Sequence, residues 1–181
     1  MRLLLVSLMI WTCAACGVAP QPASNETVAA FEVPLSTAED RAAFIAILRG
    51  AATAEGGHLD AASDEELRQT AEAMPAAKMS IHVGVWRGQE DEENWAVVMD
   101  QADHIGQVWI MFARGEDAAL ASRFRERAMQ AIRKRWPDTL SLPIIDRRTI
   151  PLHRDLVRTP TGYKLDPAAA SKYVSEPQPA G

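Results

Sequence analysis

His58, His82, His104 and His153 are the side chains of this chain best suited to acid–base or metal chemistry. His58 stands two positions before Asp60, a spacing at which a carboxylate can orient an imidazole, although both residue types are also common in loops. His82 and His104 have Ser80, Asp100 and Asp103 close to them in the chain. A zinc centre needs three or four convergent nitrogen, sulfur or oxygen ligands, and neither H-x-x-x-H nor H-E-x-x-H spacing occurs. Serine nucleophile chemistry lacks its G-x-S-x-G elbow. His58, His82 and His104 are therefore a weak candidate site, and no catalytic residue, metal or cofactor is expected.

Charge and aromatic residues point elsewhere. Glu90, Asp91, Glu92 and Glu93 form an acidic run without the spaced order of a calcium loop, so a solvated hairpin loop is expected there. Positive charge collects at Arg133, Lys134 and Arg135, with Arg147, Arg148 and Arg154 downstream. Guanidinium groups pair bidentately with carboxylates or phosphates, which suits lipid headgroups, a cell-wall carboxylate or an acidic protein. Trp86, Trp95, Trp109 and Trp136 could belong to a core or to a binding surface. Trp86 and Trp95 are expected to face each other across a hairpin. Trp109 and Met111 share one strand face, opposite Val108, Ile110 and Phe112. If helices cover only one side of the sheet, the other side needs the C-terminal tail or a partner. Trp86, Trp95, Trp109, Arg133, Lys134 and Arg135 are thus the expected partner-binding residues.

The elements that would position these side chains follow from periodicity and caps. Residues 29–35 read as a first strand. Ser36 and Glu39 form a capping box for a helix carrying Phe44, Ile47, Leu48 and Ala51, stopped by Gly56-Gly57. Ser63 and Glu66 repeat the box before Leu67, Ala71 and Met74, and Pro75 ends that helix. Met79, Ile81, Val83 and Val85 then alternate with Ser80, His82, Gly84 and Trp86, the period of a strand. Residues 95–99 and 105–113 continue it as an antiparallel meander, because the links are too short for parallel crossovers. Residues 115–136 form the longest helix, with acid at its start and base at its end as the helix dipole prefers. Residues 140–145 are a closing strand, and Pro143 suggests an edge. Residues 156–165 suggest a hairpin, and Asp166-Pro167 opens a short last helix. The expected class is α+β, an antiparallel sheet with helices packed on one face, with a ferredoxin-like variant as an analogy of layout.

The N-terminus carries the most specific signal. Arg2 is followed by an apolar stretch, Leu3 to Trp11, then by small residues before Cys16. This order is that of a secretory signal peptide, too short for a comfortable membrane span. The stretch Cys13-Ala14-Ala15-Cys16-Gly17 resembles the bacterial lipoprotein signal. That resemblance implies diacylation of Cys16, which becomes the new N-terminus. By the same resemblance, Gly17 and Val18 in place of Asp favour the outer membrane, on its periplasmic side. Ordinary cleavage near Ala19 or Ala23, or a Cys13–Cys16 redox pair, are the alternatives.

The expected organisation is a signal peptide over 1–15, a lipidated Cys with a tether over 16–28, one domain over 29–174 and a tail over 175–181. Losing Arg2 with the leader takes the formal charge from −5 to −6, which argues against a general nucleic-acid binder. The expected function is a membrane-anchored envelope lipoprotein whose domain binds another protein as scaffold, assembly factor or inhibitor. The alternative is an enzyme or small-ligand module acting on an envelope component.

Overall fold

The computed structural model describes residues 24–73, 80–88, 93–101, 104–145 and 149–174, leaving the side chains of residues 101, 104 and 105 aside. The elements run β1 (Thr27–Pro34), α1 (Ala38–Ala54), β2 (Gly57–Ala61), α2 (Asp64–Ala73), β3 (His82–Arg87), β4 (Glu93–Gln101), β5 (His104–Ala113), α3 (Ala118–Arg135), β6 (Leu140–Ser141), β7 (Leu156–Thr159) and β8 (Gly162–Leu165). A 3-10 turn at His153–Asp155 precedes β7, and a 3-10 helix at Pro167–Tyr173 follows β8. The fold is mixed α+β. One eight-stranded sheet has the order β2-β3-β4-β5-β1-β6-β8-β7.

The β3-β4-β5 meander is antiparallel, as short links require. β1 slots between β5 and β6 and is antiparallel to both. β5 and β6, each antiparallel to β1, therefore run parallel to one another on either side of it and are joined through α3. The sheet is not wholly antiparallel, because β6 and β8 pair in parallel at Ser141 and Gly162.

Alternation sets the core. Val83, Val85, Val98, Val108, Ile110 and Phe112 point to one face of the sheet and pack with Phe44 and Leu48 of α1 and Phe124, Ala128 and Ile132 of α3. The aromatic rings interlock there, with Trp95 stacked on Phe124 at 5.4 Å and Phe44 edge-on to Trp136 at 5.9 Å.

Several boundaries differ from the sequence reading for local reasons. Thr37, rather than Ser36, caps α1, its Oγ1 accepting from the Asp40 amide at 3.0 Å. The second capping box forms as expected, with Ser63 N–H donating to Glu66 at 2.7 Å. Met74 and Pro75 lie outside the described residues. The Gly56-Gly57 stop leads directly into a strand, β2, which pairs with β3 from Gly57↔Arg87 to Ala61↔Val83. β6 is interior rather than an edge; it is two residues long, so Pro143 falls beyond the ladder. The domain begins before residue 29, since the Gly115 and Arg114 amides donate to the carbonyls of Ser24 and Glu26. The C-terminal hairpin and the helix after it are present, with Asp166 capping Ala168 at 2.8 Å. Among the described residues no helix is long and apolar enough to cross a membrane.

Candidate functional site: the half-covered face of the sheet

The sheet face away from α1 and α3 is the candidate site. Directly opposed residues of antiparallel strands share a face, so the pairings write out its rows. One row is His82, Met99, Trp109, Glu32. The next is Asp60, Gly84, Val97, Met111, Ala30, and a third pairs His58, Trp86 and Asn94. Burial falls off sharply along the first row. Glu32 is 4% exposed, Trp109 7% and Met99 37%, and His82 is exposed. The face is therefore covered over β5 and β1 and open over β2, β3 and β4.

The C-terminal segment makes the cover. Ala30, Trp109 and Leu142 form a second apolar cluster, joined by Met111, Ile150, Leu156 and Tyr163. Glu32 lies in it as a buried carboxylate and needs donors. Tyr163 Oη donates to Glu32 Oε1 at 2.7 Å, and Trp109 Nε1 donates to Oε2 at 3.1 Å. His153 Nε2 stands 3.5 Å from the same oxygen, its ring edge-on to Tyr163 at 5.4 Å between centroids. Burial, then the hydrogen bond to Glu32, pushes the Tyr163 phenol up to about 12. A phenol so placed stays a donor, and its hydrogen bond together with that of Trp109 satisfies the buried carboxyl oxygens. The cluster thus pins the C-terminal segment to the sheet. Asp155 does the same one step further on. Lys172 Nζ and Tyr173 Oη both donate to it at 2.7 Å, which holds its carboxyl below the usual range.

The open half is built around Trp86. Its indole lies over Gly84, where a Cβ would stand 2.9 Å from Trp86 Cε2. Glycine is what lets the ring fold down onto the sheet. Trp86, Val97 and Met99 give this half an apolar surface flanked by His58, Asp60 and His82.

The expected site residues separate in space. His58 and Asp60 are exposed neighbours on one face of β2, a strand rather than a loop. His58 pairs with Trp86, four positions along β3 from His82, so the two histidines stand roughly 13 Å apart at ~3.3 Å per residue. The side chain of His104 and all of Asp103 lie outside the described residues. Asp100 is engaged by the Ser80 amide, by Ser80 Oγ at 2.8 Å and by the Ile81 amide at 2.9 Å, holding the turn into β3. The described residues contain no group of three His, Cys, Asp or Glu arranged to hold a metal ion. His82 also borders a cleft of about 230 Å³ between α1 and α2, with Arg41, Asp64 and Ser80 on its walls.

The tryptophans also separate. Trp95 and Trp86 do not face each other, because a bulge in β4 pairs Trp86 with Asn94 and turns Trp95 into the helix-side core. Trp95 is fully buried and Trp109 nearly so, so a surface role fits neither. Glu93, read as the end of a solvated loop, is buried. It accepts from Trp95 Nε1 at 2.9 Å and from the Glu116 amide at 2.8 Å; Glu90, Asp91 and Glu92 lie outside the described residues.

The basic run does not form one patch, because successive helical residues point ~100° apart. Arg133 covers the Phe31 ring at 5.1 Å. Arg135 lies over Trp136 at 5.2 Å and within 4.0 Å of Asp40, and Lys134 is exposed. Arg147 and Arg148 lie outside the described residues, as does Cys16.

Glu32 and Tyr163 escaped the sequence reading as site residues, and His153 was named there only as one of the four histidines. A lone Glu among the apolar residues of β1 was the only signal for them. No model of a known protein family, no curated protein and no solved structure matches this chain.

Proposed function

We propose that this chain is an exported lipoprotein, anchored by a lipid on Cys16 to the periplasmic side of a bacterial membrane, with the outer membrane favoured. Its domain binds another envelope protein through the open half of the sheet. The anchor rests on the leader, with Arg2, the apolar stretch and Ala14-Ala15-Cys16 in order. Acyl chains contribute ~0.8 kcal/mol per buried CH₂, so two or more give stable attachment.

The observation that carries the binding reading is the abrupt end of cover at Met99. One half of the face has a dedicated lid, while among the described residues Trp86, Val97 and Met99 beside it have none. Contiguous apolar surface flanked by polar residues is typical of interaction sites.

The test is photo-crosslinking in the producing bacterium, from a probe at Met99 and from a control probe at Lys134, with metabolic acyl labelling of the parent and Cys16→Ser chains. The reading expects one discrete adduct from Met99 and none from Lys134. Acyl label and membrane sedimentation should both be lost in Cys16→Ser. A uniform smear of adducts from both probes, or label that survives Cys16→Ser, would sink it.

A further inference from the structure

On α3 the arginines divide between two flanks. Arg123 and Arg127 reach across to Glu55 of α1, each at 3.0 Å. Arg125 and Arg133 line the flank beside β1, and among the described residues neither is paired with a carboxylate. Arg125 donates only to Ser122 Oγ, at 2.9 Å, and Arg133 stacks over Phe31. Between this flank and β1 runs a groove of about 320 Å³. Ala29, Phe31 and Met129 give it an apolar floor, and Gln130 adds a neutral polar group. Glu126, on its rim, accepts from Ser122 Oγ at 3.1 Å, so the two arginines leave the groove one net positive charge.

We propose that this groove binds the phosphate headgroup of an anionic membrane phospholipid. The inference rests on the reading that Cys16 is lipidated. A chain spans at most ~3.6 Å per residue, so the link over residues 16–23 holds Ser24 within about 29 Å of the anchor. Ala29, on the groove, follows five positions later in the sequence. Guanidinium groups give phosphate oxygens charge-assisted, bidentate hydrogen bonds. Ala29 and Phe31, both half-buried, offer apolar surface to the glycerol and first methylenes. The mature chain is acidic at −6, so a negative bilayer repels it as a whole. Attraction has to come from a local site.

The test uses the mature chain from residue 16 with Cys16→Ser, since every described core residue lies between Ala30 and Ala169. It is sedimented with phosphatidylglycerol vesicles, with phosphatidylcholine vesicles, and titrated with inorganic phosphate. Binding to phosphatidylglycerol alone is expected. Arg125→Gln with Arg133→Gln should weaken it at least ~tenfold, in line with the loss of two charge-assisted contacts. Arg123→Gln with Arg127→Gln makes the same change in charge on the other flank and should leave binding in place. Circular dichroism checks that both double variants are folded. Equal losses in the two double variants would overturn the proposal, as would no vesicle binding by the parent, or binding of inorganic phosphate without vesicles. Acyl labelling of the full chain is scored separately. A labelled Cys16 with no vesicle binding removes the groove and keeps the anchor. Groove-dependent vesicle binding without label keeps the groove and removes the anchor.

Discussion

Glu32 and Tyr163 are 131 positions apart in the chain and 2.7 Å apart in the fold. The first strand supplies a buried carboxylate and the last strand a phenol to satisfy it. Trp109 adds the second donor from β5, so the contact ties together three elements drawn from the whole length of the domain.

Removing the phenol oxygen should therefore loosen the C-terminal segment. Tyr163→Phe keeps the ring and takes one donor from a buried carboxylate, a change that costs about 1–3 kcal/mol. Urea denaturation of the parent and variant reads this directly. An unchanged midpoint would show that the hydrogen bond adds nothing to stability.

The same residue sets an alkaline limit. Its pKa is raised from 10.0 to about 12 in the folded chain. The folded state then holds a proton that the unfolded state releases, so stability falls as pH rises. The contribution is fully present below about pH 10 and is lost by about pH 12. Denaturant midpoints across that window should fall more steeply for the parent than for Tyr163→Phe. Parallel slopes would refute the assignment.

Two glycines under two tryptophans should respond differently to the same methyl group. A Cβ on Gly57 would lie 2.6 Å from Trp95 Cζ3 and 2.8 Å from the Trp86 carbonyl oxygen. Trp95 is fully buried and cannot retreat, so Gly57→Ala should destabilise by about 1–3 kcal/mol. On Gly84 the methyl meets the Trp86 ring, which borders open surface. Gly84→Ala should cost less and make tryptophan fluorescence more accessible to acrylamide. A larger loss for Gly84→Ala would reverse this ordering.

Helix α2 has a cap and no buried residue. Ser63→Ala removes a cap worth about 0.5–2 kcal/mol, yet little else depends on α2. Amide exchange should quicken within Asp64–Ala73 while the global unfolding midpoint stays near the parent value. A matching global loss would mean that α2 unfolds with the rest of the domain.

The sequence displayed what neighbours along the chain decide. The Ser63/Glu66 box, the alternation through Val83 and Val85, and the hairpin at Thr159–Gly162 are local chemistry, and all were legible. β2 was not, because Gly57-His58-Leu59-Asp60-Ala61 is short and its glycine and acid read as a turn. The bulge that sends Trp95 inward was hidden too, since one extra residue in β4 inverts which tryptophan faces where. The half-covered face could be foreseen as an apolar strand face in need of cover. The Glu32 cluster could not, because its partners come from distant parts of the chain.

β1 is the first strand made and lies inside the sheet, with both neighbours, β5 and β6, supplied much later. Among the described residues, β1 has no ladder partner until β5 has emerged, and Glu32 lacks its phenol donor until Tyr163 has. Contacts of such long range form slowly. Fragments that stop short of β5 would expose an unpaired strand carrying an acid with no donor. The order of β1 and of its carboxylate thus depends on elements from the far end of the domain, the last hairpin included.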